Sequence, residues 1–183
     1  MNQRLKLSAR IFGILSLLLI SACGFKPMYG QNSESGAGLA QVMANIKIDQ
    51  IRNASGRQER LSQLLQNNLN ERISPLSSDG SVTSYILKAD YNLQEAGYGI
   101  REDETVTLQN LKLSVDFALV DVDTDQSIMD GTARAIVTYD LVRSDYSNKI
   151  ARETSLERLS EEVANQIITR IGTYLNENPR EAR

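Results

Sequence analysis

The sequence predicts an α+β fold: a two-layer sandwich with two helices on one face of a four-stranded mixed sheet, in the order β-α-β-β-β-α. Three observations lead there. Three long runs alternate apolar and polar residues with the period of a half-buried strand. Two other segments repeat apolar residues at helical spacing, each with a single stripe. One of these helices lies between the first two strands and the other follows the last. Elements with one apolar face pair most economically as one layer of helices on one sheet.

The chain opens with Arg4, Lys6 and Arg10 ahead of a largely apolar stretch, Ile11 to Ile20, and then Ser21-Ala22-Cys23. A basic start, a short apolar core and small residues are the three parts of a secretory signal peptide. The apolar core is too short to span a bilayer, which takes about twenty residues. Residues 1–22 are therefore expected to be a lipoprotein signal, with Cys23 the lipidation site and first mature residue. Cys23 is the only cysteine in the chain. A lone thiol in an oxidising compartment has no disulfide partner, so another use for it is expected. Two or more acyl chains on one residue anchor a protein stably without a transmembrane helix. The residue after Cys23 is Gly24, not the Asp that commonly retains bacterial lipoproteins at the inner membrane. By similarity to that class, the expected location is the outer membrane, lipid-anchored and facing the periplasm.

Removing residues 1–22 takes away three basic residues and no acid. It leaves 161 residues with 17 basic against 23 acidic, a net charge of −6. The length suits one domain. The charge argues against a nucleic-acid partner, which needs a basic stripe. With no histidine and a single cysteine, the usual zinc sites and the Ser-His or Cys-His nucleophile systems are excluded. No cofactor, metal site or catalytic residue is indicated, and no spacing singles out a pair of carboxylates for hydrolysis.

Residues 23–41 are expected to form the lipidated N-terminus and a tether, because residues 30–41 are small, polar and rich in glycine. One α+β domain is expected over 42–176, followed by a polar tail at 177–183. Within the domain, Val42, Ala44, Ile46 and Ile48 alternate as a first strand. Leu61, Leu64, Leu65, Leu69 and Ile73 then mark a helix over 55–73, with Ser55 and Gln58 as a capping box. Ser74-Pro75 ends it. The loop Ser77 to Gly80 follows.

Tyr85, Leu87, Ala89, Tyr91 and Leu93 share one face of the second strand. Leu111, Leu113, Val115, Phe117 and Leu119 share one face of the third. Val106 and Leu108 are out of phase with that run, which predicts a bulge near Gln109-Asn110. Gly131, Ala133, Ala135, Val137, Tyr139 and Leu141 share one face of the fourth strand. Turns are expected at Gly97–Glu104 and Asp121–Ser127. The last helix is predicted over Ala151–Leu175, with Leu156, Leu159, Val163, Ile167, Ile171 and Tyr174 as its stripe. The open face of the sheet carries Lys88, Asp90, Asn92, Lys112, Ser114, Asp116 and Arg134, as expected of a solvated antiparallel face.

A parallel first pair followed by antiparallel strands sorts the loops into two ends. One end should collect Arg52, Arg57, Arg101, Arg143, Lys149 and Arg152, with Glu102, Asp103, Glu104 and Asp145 as counterweights. The other should hold Asp79, Asp121, Asp123 and Asp125. Arginine clusters suit phosphate groups. The acidic turn Asp121 to Gln126 lacks the glycine and distal glutamate of a calcium loop.

The stretch Cys23-Gly24-Phe25-Lys26-Pro27-Met28-Tyr29-Gly30 resembles the mature start of the LPS-assembly lipoproteins, the outer-membrane family that plugs the lipopolysaccharide translocon. The element order fits the same family over nearly the whole mature chain. The resemblance implies a non-catalytic protein that sits inside a large β-barrel partner, helps it assemble and binds lipopolysaccharide. Family positions implicated in that binding fall in the turn between the second and third strands and just before the last helix. Here they are occupied by Arg101 and Arg152. The sequence departs from the family in placing acids directly after Arg101. The competing reading is a lipoprotein component of another envelope lipid-transport system.

Overall fold

The computed structural model describes residues 39–53, 60–73, 83–100 and 106–178. The signal peptide, Cys23, the Ser55–Gln58 capping box, Arg57, the 77–80 loop with Asp79, Arg101 to Glu104 and residues 179–183 lie outside them. The elements are α1 (Leu39–Ala44), β1 (Ile46–Ile48), β2 (Arg52–Asn53), α2 (Arg60–Ile73), β3 (Tyr85–Ile100), β4 (Val106–Asp121), β5 (Ser127–Asp140) and α3 (Asp145–Glu177). The α+β sandwich is as the sequence predicts, with α2 and α3 on one side of a mixed sheet.

β1 and β2 both pair in parallel with β3, as two short pieces of one interrupted strand. β4 pairs antiparallel with β3 and with β5, which gives the order β1/β2-β3-β4-β5. The interruption has local causes. Asp49 accepts from the Gln50 N–H at 2.8 Å, and the Ile51 N–H turns to Gln66 Oε1 at 3.3 Å. Pairing with β3 resumes at Arg52.

Three sequence expectations need correction. Val42 and Ala44 belong to a helix, not to the first strand. Val42 and Met43 are adjacent and both buried, which one strand face cannot do, since neighbouring strand residues point to opposite faces. The helix closes with an Asn45 N–H bond to the Val42 carbonyl at 3.1 Å. The Asn45 carbonyl then accepts from the Ser84 N–H at 3.0 Å and starts the pairing. Spacing of two over so short a run did not separate the two structures.

No bulge falls at Gln109-Asn110. Both residues sit in unbroken register with Gly97 and Ala96. The phase change means instead that Leu108 lies on the outer face, across from Tyr98. The register shift in β4 occurs at Leu119/Val120 against β5. α3, finally, starts six residues earlier than expected. Its N-cap is Ser144, whose hydroxyl accepts from the Ser147 N–H at 3.3 Å.

The core lies between the sheet and the two long helices. Leu61, Leu65, Leu69 and Ile73 of α2 meet Leu159, Val163, Ile167 and Ile171 of α3 over Leu87, Tyr91, Leu111, Leu113, Val115 and Ala133. The helices are also tied by polar contacts. Arg72 donates to Asn165 Oδ1 at 2.7 Å and Asn68 Nδ2 donates to Ser160 Oγ at 2.9 Å. Strands of 16 residues and a helix of 33 are both about 50 Å long at 3.3 and 1.5 Å per residue. The long helix thus runs the length of the sheet. Among the described residues, no helix is long and apolar enough to cross a membrane.

Candidate functional site

The two ends of the sandwich differ in chemistry. At one end β4 turns into β5 through Asp121 to Gln126. The Asp121 carboxylate accepts from the N–H groups of Asp123 and Thr124, both at 2.9 Å, and from the Thr124 hydroxyl at 3.1 Å. The bond from the Thr124 backbone, opposed by some desolvation, holds the Asp121 carboxyl below its ordinary 3.8. These oxygens serve the turn. Among the described residues, no group of three or more acids could hold a metal ion.

The other end, the tip, is built from the last residues of β3, the first of β4, the end of β5 and the start of α3. The Asn148 side chain clamps Val142, accepting from its N–H at 2.9 Å and donating to its carbonyl at 2.8 Å. That clamp turns the chain from β5 into α3. Arg143, Lys149 and Arg152 all lie on this connection or in the first turns of the helix. Arg143 and Lys149 are exposed.

Arg152 is held. Its guanidinium forms a two-pronged ion pair with Glu95 on the inner face of β3, with Nε to Oε2 at 3.3 Å and a shorter bond from Nη2 to Oε1. Such a fork fixes orientation as well as charge. Tyr139 of β5 lies close by. Burial raises its phenol above the ordinary 10.0, the Glu95 charge pushes it the same way and Arg152 opposes.

Arg52 is not at the tip. It pairs with Asp90, far down β3, and donates to Gln50 Oε1 at 3.0 Å. The first strand is short while β3 runs on past it, so the exits of the strands do not align. Arg57 and Arg101 lie outside the described residues, although Arg101 directly follows the end of β3.

The tip also carries exposed apolar side chains that the sequence reading passed over. Tyr98, Val142, Tyr146 and Ile150 are all exposed, Tyr146 at 75% of its surface. Tyr146 and Ile150 are four apart on α3 and so share a helix face. A start for the helix at Ser144 would have exposed that signal. These side chains stand beside the exposed cations Arg143 and Lys149, with the acids Asp140 and Asp145 at the same end.

A two-layer α+β sandwich with one tip that carries Arg143, Lys149 and Arg152 among the acids Glu95, Asp140 and Asp145, beside exposed apolar side chains, is the class that fold and site define. Comparison with known proteins narrows it. The model of the family described as Lipopolysaccharide-assembly, LptE, matches residues 43–171. The chain belongs to that lipopolysaccharide-assembly family. No curated protein matches.

Solved structures share the fold. A protein described as a lipoprotein from Caulobacter crescentus superposes with TM-score 0.59 at 24% identity, over 78% of this chain and 98% of its own. A lipoprotein B from Nitrosomonas europaea gives 0.51 at 12% identity, over 73% and 88%.

Proposed function

We propose that the chain is an outer-membrane lipoprotein, facing the periplasm, that plugs and helps to assemble the lipopolysaccharide-translocon β-barrel and binds lipopolysaccharide. The observation that carries the binding is the tip, where Arg143, Lys149 and Arg152 adjoin Tyr146 and Ile150. A phosphorylated sugar headgroup offers anions to the cations. Its acyl chains offer hydrocarbon to the exposed apolar residues. Arg101 joins the cations on the strength of the family resemblance. The role is non-catalytic: the residues at the tip bind and orient a lipid and transform nothing.

Glu95 makes Arg152 a positioned group rather than a free charge. A headgroup phosphate has to share or displace that carboxylate, whereas Arg143 and Lys149 are open. Charge reversal of Arg143, Lys149 and Arg152 together is expected to weaken lipopolysaccharide binding by about tenfold or more at low salt, since charge-assisted contacts contribute about 1.5–3 kcal/mol each. The loss should shrink at high salt. Binding of the detergent-purified full chain to lipopolysaccharide at two salt concentrations is the measurement. Unchanged binding at both overturns the tip as the site. A pull-down from gently solubilised outer membrane tests the barrel: a lipid-transport role elsewhere in the envelope yields no stable barrel partner.

Cys23 is the proposed lipid attachment site and the source of membrane anchoring. Labelling cells with a tritiated fatty acid should mark the wild type and leave Cys23→Ala unlabelled. Equal labelling of the two removes Cys23 from that role.

A further inference from the structure

β5 is the outermost strand on one side of the sheet and runs for 14 residues. The outer edge of so long a strand offers a row of N–H and C=O groups to any other strand. Side chains of α3 take the middle of that row. The Arg134 N–H donates to Gln166 Oε1 at 3.2 Å, and Gln166 Nε2 donates to the Arg134 carbonyl at 3.0 Å. Arg170 Nη1 donates to the Thr132 carbonyl at 2.6 Å.

The bond pattern fixes which way these groups point. Leu141, just past the strand, donates its N–H to the Thr107 carbonyl of β4 at 2.8 Å. Odd-numbered residues thus face β4 and even-numbered ones face out, as an antiparallel ladder requires. The exchange between Arg134 and Gln166 is the pair of bonds that a residue on a further strand would make. A carboxamide can make both, because it carries a carbonyl and an N–H as a peptide group does. Gln166 Nε2 also donates to Glu162 Oε1 at 3.0 Å, one turn back on α3. That bond fixes which end of the carboxamide meets the Arg134 N–H.

The opposite edge is closed by other means. β1 has three residues and β2 two. Between them the Ile51 N–H is taken by Gln66 Oε1 of α2 at 3.3 Å. Exposed Lys47 and Arg52 stand on the two pieces. Short strands and charged side chains both blunt an edge. β5 has the length that β1 and β2 lack, so its closure falls to the helix.

We infer that Gln166 and Arg170 act as a surrogate strand that closes β5 to a further strand and keeps the chain a single copy. The clamp interrupts the outward row at Thr132 and Arg134. Ile136 to Asp140 is then the longest run left among the described residues. Without the clamp the row runs from Asp130 to Asp140. A short two-stranded contact with no packed face is marginal in water, and the gain from pairing rises with each added backbone bond.

The detergent-purified full chain makes the test. Amide hydrogen exchange at Arg134 should be about tenfold faster in Gln166→Ala than in wild type, because the N–H loses its acceptor. Light scattering should show wild type as one chain. Gln166→Ala combined with Arg170→Ala should form multimers that grow with concentration. Circular dichroism should show that variant folded, since neither side chain belongs to the core cluster. Ile136 is 61% exposed. Adding Ile136→Pro should return the variant to one chain, because proline removes an outward N–H and spares the pairing with β4.

If the double variant does not fold, Gln166→Glu makes the same comparison, since it keeps the acceptor and loses the donor. A folded double variant that stays single overturns the inference. So do multimers indifferent to Ile136→Pro, a wild type whose own multimers Ile136→Pro dissolves, or exchange at Arg134 that is the same with and without Gln166.

Discussion

Gly99 holds φ = +76°, and a Cβ placed there would meet Thr107 Oγ1 at 2.6 Å. The Thr107 hydroxyl instead donates to the Gly99 carbonyl at 3.0 Å. Gly99→Ala should therefore destabilise by about 1–2 kcal/mol from the left-handed backbone alone, read as a shifted urea midpoint. A midpoint equal to wild type would mean that the hairpin end relaxes without cost. Tyr139 makes a pH prediction. Its folded pKa is raised, so the neutral phenol is favoured in the native state. That contribution is whole below the unfolded pKa of about 10 and is lost as pH rises through the folded value. Wild type should lose stability above about pH 10, and Tyr139→Phe should lose less. Melts on both sides of that pH check it. Neither feature was legible in sequence: the glycine looked like a turn, and the tyrosine looked like one more residue on an apolar face.

At the scale of elements, periodicity located every long one. Most residues of the stripes on α2 and α3 and of the three inner strand faces are buried in the core, while Leu64, Leu93, Val137, Tyr139 and Tyr174 pack against it partly buried. Leu65 and Val163 have no exposed surface. Leu65→Ala should cost about 2–5 kcal/mol through lost contacts and a cavity, and Val163→Asp should cost several kcal/mol by burying an unpaired charge. Circular dichroism melts give the values, and an unchanged melting temperature would place those stripes against a partner rather than the sheet. Periodicity failed where runs were short or where apolar residues faced water. α1 read as strand because its apolar spacing spans too few residues to choose. Leu108 read as a bulge because a rule that puts apolar residues inside does not foresee one outside.

At the scale of the molecule, the sheet separates two ends by about 50 Å. α1 and β1 enter at the end with the Asp121 turn, since Ile46 pairs with Tyr85, which in turn pairs with Asp121. The tip with Arg143, Lys149 and Arg152 is at the other end. A lipid anchor ahead of α1 would thus hold the molecule by the end away from its proposed lipid site. Residues 24–38 could span at most about 50 Å when fully extended. Two arms of mutants should then separate. Charge reversal at the tip should weaken lipopolysaccharide binding and leave the chain in the membrane fraction. Cys23→Ala should release it and leave binding by the purified chain unchanged. Fractionation and binding measured on the same two variants decide it, and a shared phenotype would sink the separation.

What the sequence determined by itself was the set of faces. Alternation at two and repetition near 3.6 follow from backbone geometry alone, so inner residues, layer count and element order could be read without contacts. The clustering of Arg143, Lys149 and Arg152 also followed, because connectivity puts them on one end. The tertiary structure decided how far each element runs and how the layers cross. The shortness of β1 and β2 removes Arg52 from the tip. The path of α3 gives Arg152 to Glu95 and brings Gln166 and Arg170 to the backbone of β5. Strand length and crossing angle come from packing many side chains at once, and no local pattern encodes them.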